Sequence, residues 1–231
     1  MKTVFVTGTN RGLGLGFVKH LLKKNFHVLA TCRDLIEATE LRGLRETYSE
    51  SLEIFEIDLL EQNCSEEIKR FLRNRPVDIF INNAGVMGPR NQDLQSISVK
   101  PWIDVMSVNL IAPLIITQSI LENISIGKDK KMFFLSSRVG SIGENTGGGR
   151  YIYRSSKSAL NQIVKSLSID LYSKGITTLA LHPGWVLTDM GGPDALVTVD
   201  ESVKGMLEVI ENVSLTDSGK FFNFDGKEIS W

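Results

Sequence analysis

Cysteine is scarce in this chain: Cys32 and Cys64 are the only two among 231 residues. Two thiols cannot build a disulfide framework, and with His20, His27 and His182 scattered along the sequence no Cys/His cluster has metal-ligand spacing. No metal site is expected, and both cysteines read as free thiols in a reducing compartment. An excess of charge is missing too, with 26 Lys and Arg against 27 Asp and Glu and a formal net charge of −1. That removes the electrostatic case for nucleic acid or an anionic membrane as a partner. Long apolar runs are lacking: Leu110 to Thr117 is the longest, contains Pro113, and falls far short of a bilayer span. No secretory pattern precedes the first strand-like segment, and no linker, repeat or low-complexity tract interrupts the chain. What remains is the expectation of a soluble cytoplasmic protein folded as one domain over residues 1–231, with 42% hydrophobic residues to fill its core.

What is present is punctuated regularly. Val4-Phe5-Val6-Thr7 is a short apolar run, followed at once by Gly8-Thr9-Asn10-Arg11-Gly12-Leu13-Gly14 and then by Leu15, Val18, Leu21 and Leu22 at helical spacing. Strand, glycine turn and helix make a phosphate-binding loop: glycines let the backbone approach a pyrophosphate, and the helix start offers unpaired N–H groups. The spacing, with Gly8, Gly12 and Gly14, departs from the common G-x-G-x-x-G. Further apolar runs at 28–31, 52–57, 77–81, 132–135, 177–181 and 221–224 alternate with helical stretches at 35–48, 65–73, 102–125, 151–173 and 200–212. Alternation of this kind predicts an α/β fold of Rossmann type, a doubly wound parallel sheet of about seven strands with helices on both faces and the ligand at the carboxyl ends of the strands. The stretches 102–125 and 151–173 are apolar enough all round to be candidates for a subunit interface, in a homodimer or homotetramer.

The tip of the second strand bears on the cofactor. An acidic residue there accepts the ribose hydroxyls of NAD, whereas arginine accommodates the 2′-phosphate of NADP. Arg33 and Asp34 are adjacent, so spacing alone leaves both open. Arg33 comes first and Arg11 lies in the glycine loop, and two cations near one phosphate favour NADP(H), with NAD(H) the alternative. Asp34 suits the start of the next helix.

Tyr153 and Lys157 stand four residues apart, on one helix face. A free phenol, with a pKa of about 10, is a poor acid–base group at neutral pH, and a neighbouring cation would bring it towards the useful range. Alone the pair is a weak signal, because such pairs are common on solvated helices. Context raises it: Thr7-Gly8-x-x-x-Gly12-x-Gly14, Asn82-Asn83-Ala84-Gly85, Ser137, Tyr153-x-x-x-Lys157 and Pro183-Gly184 together, in this order and at these spacings, resemble the short-chain dehydrogenase/reductase family over nearly the whole chain. Asn145-Thr146-Gly147-Gly148, Tyr151-Ile152-Tyr153-Arg154, His182-Pro183-Gly184-Trp185, Thr188-Asp189-Met190-Gly191-Gly192 and Phe222-Asn223-Phe224-Asp225-Gly226 resemble, within it, the C-factor/sniffer-like carbonyl reductases.

That resemblance implies a catalytic set. Tyr153 would be the general acid in carbonyl reduction, and Lys157 would lower its pKa and hold the nicotinamide ribose. Ser137, rather than the adjacent Ser136, would polarise the substrate oxygen, and Asn109 would anchor a water relaying protons through Lys157. Cofactor contacts are implied for Gly8, Asn10, Arg11, Gly12 and Leu13 in the first loop, for Arg33, and for Asp58 with Leu59 at the adenine end. They are implied likewise for Asn83, Ala84 and Gly85, for Tyr153 and Lys157 themselves, and for Pro183, Gly184, Val186 and Thr188 towards the carboxamide. Asn83 would lie along the cofactor while Asn82 bonds local backbone. Trp185 would line the substrate mouth or pack in the core. The function so implied is NADPH-dependent reduction of small aldehydes, ketones or quinones. The alternative, from another class, is a cofactor-binding signalling protein of C-factor type in which turnover is secondary.

Overall fold

The structure, a computed structural model, describes all 231 residues. Its strands are β1 (Thr3–Val6), β2 (His27–Cys32), β3 (Leu52–Glu56), β4 (Ile79–Asn82), β5 (Lys131–Leu135), β6 (Thr177–His182) and β7 (Phe221–Asn223). They form one sheet in the order β3-β2-β1-β4-β5-β6-β7, every neighbouring pair parallel. The helices are α1 (Gly12–Lys23), α2 (Thr39–Thr47), α3 (Cys64–Leu72), α4 (Val99–Met106), α5 (Ala112–Ser125), α6 (Tyr151–Asp170) and α7 (Val199–Asn212).

Alternation along each strand separates two cores. Val4 and Val6 of β1, with Val28 and Ala30 of β2, pack on one face with Leu21 of α1, Leu41 of α2 and Met206 of α7. Phe5, Leu29 and Phe80 point the other way, towards Ile68 of α3, Ile116 and Ile120 of α5, and Leu160 of α6. A sheet buried on both faces needs strands apolar at every position, which is why these runs read as continuous. Strand order reverses between β1 and β4, whose chains leave the sheet in opposite directions. The crevice this opens at their carboxyl ends is where a ligand fits.

One helical expectation needs correction, and another, for one or two helices over 102–125, is narrowed to two. The helix expected over 35–48 begins only at Thr39, because the Asp34 carboxylate accepts the Ile36 and Glu37 N–H groups (2.8 and 3.1 Å) and closes a turn first. The stretch expected at 102–125 starts earlier and runs as α4 and α5 joined through a π-helical turn, Ser107–Ile111, which holds the buried Asn109. The continuous helical run Val99–Ser125 has the length and composition to cross a membrane. Here Ile116, Ile120 and Ile124 at four-residue spacing are fully buried in the core beside α3, which accounts for its apolarity.

A concavity of about 690 Å³ lies between α7 and β7, away from that crevice. Three of its four carboxylates already have structural tasks: Glu201 closes a capping box with Thr198 at the start of α7, and Asp217 and Asp225 bind Lys220 and Lys227.

Glycines show how tightly the crevice end is built. A Cβ on Gly14 would lie 2.0 Å from the Gly8 carbonyl and 2.6 Å from Asn83 Nδ2, whereas one on Gly43, inside α2, would meet nothing within 4 Å. The same substitution therefore has opposite signs. Gly14→Ala is expected to cost about 3 kcal/mol or more, and Gly43→Ala to stabilise by about 0.5–1 kcal/mol. Urea unfolding of the two variants checks both.

Candidate active site at the carboxyl end of the sheet

Thr7 and Asn83 tie the two diverging strands together. The Thr7 hydroxyl accepts the N–H groups of Asn83 and Ala84 (both 3.1 Å), and the Asn83 amide donates to the carbonyls of Thr7 (2.9 Å) and Gly8 (2.8 Å). The local backbone bonds expected of Asn82 are made by its neighbour instead. Asn83 is the one bonding local backbone, and Asn82 is buried with its Oδ1 unpartnered. The reason is register: at the end of β4 only the second side chain faces the glycine loop. Gly8 has φ +69° and packs against Ala84, where a Cβ would come within 2.9 Å of the Ala84 Cα. Thr9 bonds the Thr31 carbonyl through both its N–H (2.9 Å) and its hydroxyl (3.0 Å), linking the loop to β2.

The N-terminus of α1 has no side-chain cap and no acidic residue in its first turn. Its leading amides, Gly12, Leu13 and Gly14, therefore have no intrahelical acceptor and face the crevice end of the sheet. Asn10 and Arg11 are exposed beside them, while Leu13 packs partly against the core. Arg33 is exposed immediately after β2 and forms no ion pair. Asp58, after β3, accepts the Leu60 N–H (3.0 Å) in a turn, and Leu59 is half-buried against the core. These features fit a dinucleotide: orphan amides and two arginines for its phosphates, and backbone with no room for side chains beneath it.

Tyr153 and Lys157 lie on the inner face of α6, both buried. The Lys157 Nζ donates to the Leu135 carbonyl (2.8 Å) and sits 5.8 Å from the centre of the Tyr153 ring. No carboxylate compensates the ammonium, so burial pushes its pKa down to about 8. Burial likewise drives the phenol up to about 12, against smaller downward pulls from the Ser137 hydroxyl and the Arg150 guanidinium. The expected acidification of Tyr153 by Lys157 is therefore not a property of the protein alone. Desolvation outweighs it, and the ammonium is turned to a carbonyl.

Ser137 is half-buried at the end of β5, near enough to Tyr153 to favour its phenolate. Ser136 is buried and donates to Asn161 Oδ1 (2.5 Å), so its hydroxyl is committed elsewhere. Asn109 occupies the π turn, where its Oδ1 accepts the Val86 N–H (2.8 Å) and its Nδ2 donates to the Val86 carbonyl (2.8 Å) and Ser156 Oγ (3.0 Å). Its side chain thus holds the segment after β4 rather than reaching Lys157. Gly85 separates the two: a Cβ there would be 3.3 Å from Asn109 Oδ1 and 3.5 Å from Lys157 Nζ.

After β6 the chain turns at Pro183 and Gly184, where φ is +85° and a Cβ would strike the Phe224 ring at 2.9 Å. Val186 is buried and bridges to Val197. Thr188 Cγ2 lies 3.5 Å from where a Gly12 Cβ would be, so this loop meets the glycine loop across the crevice. Trp185 is 51% exposed, its indole donating to the Gly191 carbonyl (2.7 Å), and is not a core residue.

Gln92 went unread in the sequence. It is buried; its Oε1 accepts the Tyr153 N–H (2.8 Å), and its Nε2 donates to the carbonyls of Met87 and Pro89 (both 2.8 Å). It fixes the first turn of α6, which has no side-chain cap of its own and begins from a left-handed Arg150 (φ 49°). Gly140 was also unread: a Cβ there would come 2.7 Å from Lys157 Cβ, so it sets how closely α6 approaches.

The short chain dehydrogenase family matches residues 2–196. Among named relatives, the C-signal protein of Myxococcus xanthus is 44% identical over 156 residues, 68% of this chain and 93% of its own length. The 1-hydroxy-2-glutathionyl-2-methyl-3-butene dehydrogenase of Rhodococcus sp. (strain AD45) is 29% identical with both chains fully covered. In solved structures, the carbonyl reductase Sniffer of D. melanogaster superposes with a TM-score of 0.92 at 34% identity over the whole of both chains. The NADPH-bound carbonyl reductase from chicken fatty liver gives 0.90 at 36% identity, covering 100% of this chain and 99% of its own. With the sheet order, the glycine loop and the buried tyrosine–lysine pair already in view, the chain belongs to the short-chain dehydrogenase family of NAD(P)-dependent enzymes.

Proposed function

We propose that this protein reduces carbonyl groups of small aldehydes, ketones or quinones at the expense of NADPH, with Tyr153 as the proton donor. The observation that carries this reading is the buried Tyr153 beside Lys157 and Ser137 at the crevice where the strand order reverses. The structural resemblance to two carbonyl reductases, one of them NADPH-bound, supports it.

NADPH, when bound, supplies the hydride. The protein's part is to hold and to protonate. The amides of Gly12 and Leu13 with Arg11 and Arg33 would hold its phosphates, and Asn83, Ala84 and Gly85 line the path towards Lys157. Thr188 and Val186 close the far side. Ser137 donates to the substrate oxygen and Tyr153 delivers its proton there. A phenol raised to about 12 by burial keeps that proton at every physiological pH. An alkoxide is far more basic than a phenolate, so the transfer remains downhill, and the raised value favours reduction over alcohol oxidation near neutrality. Lys157, with its charge unpaired, is placed to attract ribose hydroxyls as acceptors. If a relay water serves Lys157, the backbone of the π turn is the remaining candidate to hold it.

The whole of residues 1–231 is read as one catalytic domain. Ile103, Ile111 and Ile115 stay exposed on α4, the π turn and α5, and form the face we assign to self-association as a dimer or tetramer. Buried free thiols, both raised to about 11, suit the reducing cytoplasm. A signalling role is the second reading, kept by the 44% identity to C-signal.

Three outcomes test the proposal. In a carbonyl panel, Tyr153→Phe is expected to lower kcat by about 10²-fold or more while NADPH titration by fluorescence is unchanged. Retained turnover in this variant would remove the assigned acid, and the absence of turnover in the parent would favour the signalling reading. Arg33→Asp should weaken NADPH more than NADH; equal losses would undo the cofactor preference. Lys157 makes a prediction about stability. Between pH 8 and 10.5 the unfolded chain keeps a proton that the folded amine has released, so stability rises with pH in that window. Below it the buried charge costs about 3 kcal/mol. Lys157→Met should therefore abolish turnover yet raise the unfolding free energy at pH 7, and should flatten that alkaline rise. Urea titrations from pH 7 to 10.5 without cofactor read both.

A further inference from the structure

The Arg11 guanidinium, set at the start of α1 for an incoming phosphate, is already paired: its Nη1 lies 2.7 Å from Asp189 Oδ2. Both side chains are about three-quarters exposed (73% and 76%), so the bond is easily exchanged. Yet its acidic half is not on a loose segment. The loop that follows β6 is braced internally. Val197 donates its N–H to the Trp185 carbonyl (3.0 Å), Leu187 donates to Val197 (2.9 Å), Gly192 donates to Thr188 (2.9 Å), and the Trp185 indole donates to Gly191. This loop meets the glycine loop through Thr188 and Asp189, so the carboxylate is held within reach of the Arg11 guanidinium.

Resting on the cofactor reading above, we propose that Asp189 sets the selectivity between NADPH and NADH by competing with the 2′-phosphate for Arg11. With NADPH the guanidinium exchanges a singly charged carboxylate for a phosphate of higher charge, and Asp189 is released. NADH has no group to offer in exchange, so the ion pair remains and NADH gains nothing from Arg11. Asp189 is thus a specificity-determining residue that acts through Arg11, and its release unfastens the loop from the glycine turn on NADPH binding only.

The test is a double-mutant cycle read by equilibrium titration of NADPH and NADH, without substrate, on the parent, Asp189→Asn, Arg11→Gln and the double variant. Both positions changed are exposed, and thermal melts check that each variant is folded. Asp189→Asn is expected to tighten NADPH by about two- to fivefold, the range of an exposed ion pair, and to leave NADH within about 1.5-fold. In the Arg11→Gln background the gain should vanish. Weaker or unchanged NADPH binding in Asp189→Asn overturns the proposal, as does an equal gain for NADH or a gain that persists without Arg11. Failure of the parent to bind either nucleotide would instead sink the cofactor reading, and this inference with it. Binding without coupling sinks this one alone.

Discussion

An ammonium group buried without a carboxylate is the constraint around which the site is arranged. Lys157 has one carbonyl partner, Leu135, and the face of an aromatic ring nearby. The fold keeps a charge where solvent would normally be needed to support it, and both its pKa and that of Tyr153 move in the direction desolvation dictates. A structure selected for stability alone would fill this position with an apolar side chain. The energetic deficit is evidence that the site is built for something else to arrive.

Holding that pair in place falls to uncharged groups. Gln92 bonds the backbone of Tyr153, Ser156 bonds the Tyr153 carbonyl and receives the Asn109 amide, and Gly140 lets α6 lie against the chain leaving β5. Across the crevice Thr7 and Asn83 perform the same service for the glycine loop. Neutral hydrogen bonds suit this task, because they fix geometry without adding a second charge to a region already short of solvent.

The sheet and its crevice were legible because buried parallel strands write themselves as apolar runs, and the glycines at Gly8, Gly12 and Gly14 follow one of them directly. Tyr153, Lys157 and Ser137 stood out through the family pattern, and in the structure the Ser136 hydroxyl is turned to Asn161. The division of labour between Asn82 and Asn83 was not legible, since adjacent residues at a strand end differ only in which way the pleat turns them. Gln92 lies in a polar stretch between β4 and α4 with no periodicity to mark it. The raised pKa of Tyr153 depends on how deeply α6 is packed, and no local pattern encodes depth.

Trp231 braces the chain that follows β5. The Trp231 carbonyl accepts the N–H groups of Ile142 (3.0 Å) and Gly143 (2.9 Å), and its indole stacks on Phe221 at 5.5 Å. Trp231 thereby supports the turn that follows Ser137. Replacing Trp231 by alanine would remove the stack on Phe221 that keeps its carbonyl against Ile142 and Gly143, and so loosen the turn behind Ser137.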